Sequence, residues 1–158
     1  MKKSGFVLGL FLLFSVHVFA QNLKEVDGIY LSPDSKPFSG KYTSQFENGN
    51  IKMEMYLKKG RKDGQVKIYF PGGQLHEIRA YRRNQMHGTW TVFNESGVKT
   101  SVANYKKGHK HGKWIIWNDK GQLIYDLQYK NGEKSGVWKI YNDSGILINE
   151  RNYSSPRK

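Results

Sequence analysis

The sequence contains no cysteine, and it contains half as many acidic as basic residues. Without a thiol the chain can form neither a disulfide framework nor a thiolate metal site. It also cannot carry a lipid on an N-terminal cysteine, so we expect no lipoprotein. The 13 acidic residues oppose 26 basic ones, which leaves a net charge of +13. Such a charge favours anionic partners, for example lipid headgroups, acidic glycans or nucleic acid.

Charge is nearly absent from the start of the chain, where two lysines precede an uncharged run. Residues 6–14 are apolar, and the small residue Ala20 stands before Gln21. This pattern predicts a signal peptide at residues 1–20, so that the mature chain is exported, periplasmic or secreted, and has no transmembrane span. A retained anchor is the alternative, because the uncharged run of 20 residues is long enough to cross a bilayer. Export makes nucleic acid an unexpected partner.

Helical periodicity is also lacking, and glycine recurs instead every 24 residues. Three series keep this period: Gly40, Gly64, Gly88, Gly112 and Gly136; Gly49, Gly73, Gly97, Gly121 and Gly145; and Gly60, Gly108 and Gly132, with Asn84 in the remaining place. Between them β-branched and aromatic residues alternate at the spacing of a strand. The sequence therefore predicts five units of strand, turn, strand and turn, at residues 40–63, 64–87, 88–111, 112–135 and 136–158.

Two kinds of turn alternate in each unit. In the Asn/Gly turns, an asparagine such as Asn94 precedes a glycine such as Gly97 by three positions, which is typical of a type I turn closed by a left-handed glycine. The Tyr-side turns follow the positions of Leu57, Tyr81, Tyr105 and Tyr129. Alternate turns of a meander lie on opposite edges of its sheet, so each kind should form one edge.

The segment from Tyr105 to Trp114 resembles the MORN repeat, and in particular its bacterial MORN-like variant. Tyr105, Gly108, His111-Gly112 and Trp114 follow the family's order of tyrosine, glycine, histidine-glycine and aromatic residue. The resemblance covers residues 40–158. It implies an all-β fold, a single-layer elongated antiparallel β-meander of hairpin repeats. Residues 21–39 are predicted to form a degenerate leading hairpin that caps the sheet.

The resemblance implies a scaffold or binding module, and the residues agree with the absence of catalysis. No nucleophile stands in a recognisable pairing with a base, and the periodic glycines are turn residues rather than a phosphate-binding loop. We therefore predict no enzyme, no catalytic residue and no cofactor. His87 and His111 share one repeat position with Asp63 and Ser135, so we interpret them as turn residues and predict no metal site.

One face of the predicted sheet carries Trp90, Trp114 and Trp138, which should stack on one another because a single layer has no second layer to cover it. The opposite face carries a second aromatic row: Tyr69, Phe93, Trp117 and Tyr141. This row has two interpretations. It either packs against long neighbouring side chains or forms an exposed platform for a glycan ring or a partner chain.

Charge is sorted between the two kinds of turn. The Tyr-side turns carry the candidate binding cations, which we call the basic rim: Lys58, Lys59, Arg82, Arg83, Lys106, Lys107 and Lys130. The Asn/Gly turns carry mostly acidic residues, such as Glu95 and Asp119. Solvation of turn tips explains the presence of these charges but not their sorting.

The leading hypothesis is an exported, non-catalytic binding or scaffold module for an anionic envelope component, a lipid headgroup or acidic glycan, or for a protein. A glycan-binding module that uses the second aromatic row is one alternative. An antitoxin-like neutraliser of a toxin is another, since some bacterial relatives are labelled antitoxins. Strong salt dependence of binding would favour the first hypothesis, competition by a neutral sugar the second, and a neighbouring toxin gene the third.

Export is tested by N-terminal sequencing of the protein recovered from an envelope fraction. We expect the mature chain to begin at Gln21, because signal peptidase cleaves after a small residue such as Ala20. A chain that still begins at Met1 and is recovered only from membranes would identify the segment as an anchor.

Overall fold

The computed structural model describes residues 22–154, and every regular element in them is a β-strand. The fourteen strands are β1 (Lys24–Val26), β2 (Ile29–Leu31), β3 (Gly40–Gln45), β4 (Ile51–Lys58), β5 (Arg61–Tyr69), β6 (Leu75–Arg82), β7 (Gln85–Met86), β8 (Gly88–Phe93), β9 (Lys99–Lys106), β10 (His109–Trp117), β11 (Leu123–Lys130), β12 (Glu133–Lys134), β13 (Val137–Tyr141) and β14 (Leu147–Asn152). Over this range no helix could cross a membrane. The predicted signal peptide lies outside the described residues.

Strands β3 to β14 form one open antiparallel sheet, in which neighbours follow the order of the chain. The short strands β7 and β12 pair only with β6 and β11 and extend those hairpins. Strands β1 and β2 form a separate hairpin, which we call the cap together with the segment that leads to β3. The predicted all-β antiparallel meander is confirmed.

The Asn/Gly turns have the predicted geometry. The N–H of Gly97 donates to the carbonyl of Asn94 at 2.9 Å, and the Asn94 side chain accepts from the N–H of Val98 at 2.9 Å. Gly97 has a φ of 78° and Gly121 one of 79°, both left-handed. The extra residue of the turn shifts the strand register by one, for example between Ile116 and Trp117.

The Tyr-side turns are two-residue hairpins in which both central residues have positive φ. In the fourth of these pairs, for instance, Asn131 has a φ of 52° and Gly132 one of 92°. The first three pairs are Lys59–Gly60, Arg83–Asn84 and Lys107–Gly108. Positive φ at both positions defines the type I′ turn, whose twist matches that of the flanking strands.

Successive Tyr-side turns are hydrogen-bonded to one another along one edge of the sheet. The N–H of Gly108 donates to the carbonyl of Met86 at 2.9 Å, and that of Gly132 to the carbonyl of Lys110 at 2.8 Å. The side chain of Asn84 explains the exception in the glycine series. Its oxygen accepts from the N–H of Lys62 at 2.6 Å, and its nitrogen donates to the carbonyl of Gly28 in the cap at 2.7 Å.

The core is small and lies beneath the cap. Met55 is fully buried, and Leu57 and Val66 are each 4% exposed. The cap residues Tyr30 and Phe38 pack against this cluster. The cap thus supplies a second layer over the first unit, while the later units are covered on this face by their own side chains.

The αL position of the Asn/Gly turn gives a stability test at Gly121. We expect Gly121→Val to lower the free energy of unfolding by more than about 1 kcal/mol, because a β-branched residue resists a positive φ. Urea denaturation followed by tryptophan fluorescence measures the loss. Gly121→Asn is the control and should be nearly neutral, since asparagine tolerates this conformation. Equal stability of the valine variant and the wild type would refute the assigned turn.

Candidate functional site

One face of the sheet carries a continuous row of seven aromatic rings, which we call the aromatic ladder. In order of contact, it consists of Tyr81, Trp90, Tyr105, Trp114, Tyr129, Trp138 and Tyr153. Neighbouring ring centroids are 4.8 to 5.6 Å apart, and the tilted geometry is one that aromatic pairs prefer. This corrects the expected stacking of tryptophan on tryptophan, because a tyrosine separates each tryptophan from the next.

In each of the last three units a bulge brings the tryptophan to the tyrosine. Between Lys110 and Trp114 the register of β10 against β9 shifts, and Trp114 then pairs with Ala103. The indole N–H of Trp114 donates to the carbonyl of Asn104 at 2.9 Å. Trp90 and Trp138 make the same bond, at 3.1 and 2.8 Å. The ladder is therefore fixed to the backbone as well as to itself.

Lys110 and Lys134 are exposed to solvent, but the ammonium group of each lies over rings of the ladder. The ammonium of Lys110 is 4.3 Å from the ring centroid of Trp114 and 5.0 Å from that of Tyr129. Lys134 stands in the same way over Trp138 at 4.4 Å and Tyr153 at 5.2 Å. Each makes cation–π contacts with two rings. Burial also raises the pKa of Tyr129, as expected for a partly covered ring.

The second aromatic row lies on the opposite face, beside the Asn/Gly turns, and all four of its side chains are half-buried. The hydroxyl of Tyr69 donates to the Glu54 carboxylate at 3.0 Å. Members of the row are two strands apart, so about 10 Å separates neighbours. Among the residues that the structure describes, Phe93, Trp117 and Tyr141 make no ring–ring contact with one another or with Tyr69.

All seven cations of the basic rim are exposed. The ion pairs within residues 22–154 involve other basic residues, and no rim cation has a carboxylate within 4.0 Å. The rim is consequently a row of uncompensated positive charge.

Two clefts open on the rim between the first three Tyr-side turns. One, of about 350 Å³, is lined by Arg61, Arg82, Arg83, Gln85, His87 and Lys107. The other, of about 610 Å³, is lined by Ile29, Pro37, Lys58, Lys59, Arg61, Asp63, Arg82 and Arg83. Three arginines therefore form the wall that the clefts share. Lys106 and Lys130 line neither cleft.

Arg61 is a cleft residue that the sequence did not single out. Its repeat position holds Gln85, His109 and Glu133 in the next three units. The repeat pattern therefore does not predict a positive charge at this position. Its place in the cleft follows only from the fold, which brings the turn that holds it beside Arg82 and Arg83.

The histidines at the repeat position shared with Asp63 and Ser135 join one unit to the next. The Nδ1 of His87 accepts from the N–H of Lys107, and that of His111 from the N–H of Asn131, both at 3.4 Å. Ser39 accepts from the N–H of Lys59 in the same way at 2.8 Å. No group of three or more metal-ligating side chains occurs between residues 22 and 154.

A family described as MORN repeat variant matches the chain in five segments, at residues 38–59, 62–82, 86–107, 110–131 and 134–155. The first, third and fourth segments each contain the end of one Tyr-side strand and the first central residue of its turn, and the second segment ends at Arg82, the last residue of β6. Repeats of this family are in general non-catalytic and serve as binding or scaffold modules. No curated protein matches the sequence.

The aromatic ladder gives a second stability test. Trp114→Ala should cost about 3 kcal/mol, because it removes the ring between Tyr105 and Tyr129 and leaves the Asn104 carbonyl without its indole donor. Trp117→Ala, in the second aromatic row, is the matched control and should cost clearly less. Thermal and urea unfolding of both variants measure the difference. Equal losses would mean that the two faces contribute equally to stability.

Proposed function

Because the chain belongs to the MORN repeat variant family, we propose that it is a non-catalytic module that binds an anionic ligand on its basic rim. The observation that carries this proposal is the pair of clefts that share Arg61, Arg82 and Arg83. Arginine presents a planar fork of donors that fits phosphate, sulfate or carboxylate groups, and here no carboxylate is paired with it.

Backbone strain on the rim supports the same proposal. Lys59, Arg83 and Lys107 occupy the first central position of their turns with φ of 50°, 51° and 51°. The equivalent position holds Asn131 in the fourth unit, a residue that tolerates this conformation better. A long side chain in the left-handed region costs about 1 kcal/mol. Three basic residues placed at strained positions are more readily explained by ligand binding than by solubility.

The spacing of the rim suits a ligand with several anionic groups. Equivalent turns are two strands apart, about 10 Å, which is close to the screening length at physiological salt. Adjacent turns therefore repel one another weakly, and an anion placed between them relieves that repulsion. The ligand we propose is an anionic component of the cell envelope, a lipid headgroup or an acidic glycan, because the N-terminal segment predicts export.

The other hypotheses receive less support. A neutral glycan would need an accessible row of rings, but the second aromatic row is half-buried and its rings are not in contact. Antitoxin-like neutralisation rests on labels of relatives alone. An acidic protein surface could occupy the clefts through the same chemistry and is the second candidate partner.

The rim is tested by vesicle sedimentation with the Arg82→Gln/Arg83→Gln variant and anionic vesicles. We expect the affinity to fall about thirtyfold, since each basic side chain contributes about 1 kcal/mol near an anionic surface. The fall of affinity with added salt should also become shallower. Lys99→Gln/Lys120→Gln is the matched control, because it removes the same charge from exposed positions by the Asn/Gly turns.

A second series with an acidic polysaccharide distinguishes a glycan ligand from a lipid headgroup. Folding should survive in both variants, because exposed turn charges contribute little to stability. Equal loss of binding in the two variants would mean that binding depends only on the net charge of the protein. Unchanged binding in the arginine variant would exclude the clefts as the site.

A further inference from the structure

Three consecutive apolar residues are exposed at one end of the sheet. Ile146 and Ile148 are each 62% exposed and Leu147 is 44% exposed. Leu147 and Ile148 begin the edge strand β14, in which every residue is exposed, and Ile146 directly precedes it. No strand beyond β14 is described. This end of the sheet is therefore an apolar edge in contact with solvent.

The earlier units show what covers the equivalent positions. Leu75 and Ile124 stand at the repeat positions of Leu147 and Ile148, and both are half-buried. In those units β8 lies beside β6, and β13 lies beside β11. An antiparallel strand is therefore what shields these side chains elsewhere in the same molecule.

The backbone of β14 is also available for pairing. The N–H of Tyr153 donates inward, to the carbonyl of Gly136 at 2.8 Å. Because backbone groups alternate along an antiparallel strand, those of Ile148, Glu150 and Asn152 point away from β13. An exposed row of such groups is a template for another strand.

The opposite end of the sheet is protected. The cap covers one face near β3, where Phe38 lies 3.1 Å from the position that a Cβ on Gly40 would take. Tyr30 of the cap also contacts Tyr42 of β3, with ring centroids 6.5 Å apart. Strand β3 also carries Lys41, a charge typical of protected edges. Head-to-tail addition of a second copy at β3 is consequently hindered.

Charge does not oppose pairing at β14, although the chain carries +13. Glu150 and Arg151 are its only charged residues, and they cancel. Each already has a partner, since Glu150 lies 3.7 Å from Lys139 and Arg151 lies 5.1 Å from the Tyr153 ring centroid. The strand contains neither lysine nor proline, the residues that most often prevent edge pairing.

We propose that β14 is a dimerisation edge that pairs antiparallel with β14 of a second copy. The two-fold symmetric arrangement lets each copy cover the apolar edge of the other, as in most homodimers. Antiparallel pairing places the Tyr-side edge of one copy in line with the Asn/Gly edge of the other. The two basic rims then lie on opposite long edges of one continuous sheet, and the turn with Asp143 approaches the C-terminal end of β14 in its partner.

Sedimentation equilibrium of the purified protein over a hundredfold range of concentration tests this proposal. We expect the mass of a dimer at high concentration, and at least a tenfold higher dissociation constant for Ile148→Lys. Tyr56→Lys is the control, because Tyr56 is 55% exposed but lies within the sheet on β4. Tryptophan fluorescence checks that both variants are folded.

The absence of cysteine permits a direct second measurement. Single cysteines at Ile148, Asn149 and Glu150 are oxidised in separate variants, and at least one should form a disulfide-linked dimer, because residues near a two-fold axis meet their own copies. Thr43→Cys on β3 should remain monomeric. A monomeric wild type at all concentrations, a dimer unaffected by Ile148→Lys, or cross-linking through Thr43 alone would each overturn the proposal.

Discussion

A single-layer sheet depends on contacts between side chains of the same face, because no second layer excludes water from it. In this protein the aromatic ladder supplies those contacts. Each tryptophan touches the tyrosine of its own unit and that of the unit before, so the ring row continues across every boundary between units from Tyr81 onward. Stability is therefore shared between neighbours, as in other repeat proteins, rather than concentrated in a central core.

Turn chemistry makes the ladder possible. Rings of neighbouring units contact one another only if the strands of every unit pair in the same register. The left-handed residues of the two kinds of turn fix that register. The Tyr-side turns add hydrogen bonds between units, from Gly108 to Met86 and from Gly132 to Lys110. His87 and His111 add a further bond at the same edge. The edge that carries the basic rim is thus also the most firmly connected edge, so the rim cations project from turns held at a regular spacing.

The sequence predicted much of this architecture because its signals are local and repeated. A glycine such as Gly97 reports a positive φ, and alternation of apolar residues reports a strand, whichever unit they occur in. The ladder was predicted only in part. That Trp114 meets Tyr105 and Tyr129 rather than other tryptophans depends on a register shift between Lys110 and Trp114. Gly112 lies in that segment with a φ of 74° and marks the bulge, but a glycine alone does not give the size of the register shift.

The candidate site was less predictable than the fold for the same reason. The rim cations follow from turn positions, but the clefts depend on how three turns approach one another. Arg61 has no counterpart in the other units, and Asn84 looks like a substituted glycine until the cap is placed beside it. Both residues act through contacts between segments that are distant in sequence, and one sequence carries no measure of such contacts.

The net charge alone does not show where an anion would bind to this protein, because some of its basic residues contact other side chains and others do not. Lys110 and Lys134 lie over aromatic rings, where their charge stabilises the ladder, and Lys41 lies beside Glu54. The rim cations have no such partner, and three of them occupy strained backbone positions. The electrostatic field that attracts an anion therefore comes from the edge that carries the basic rim rather than from the whole surface. A ligand that follows this edge can use the regular spacing of the turns, which a dispersed charge of the same size would not provide.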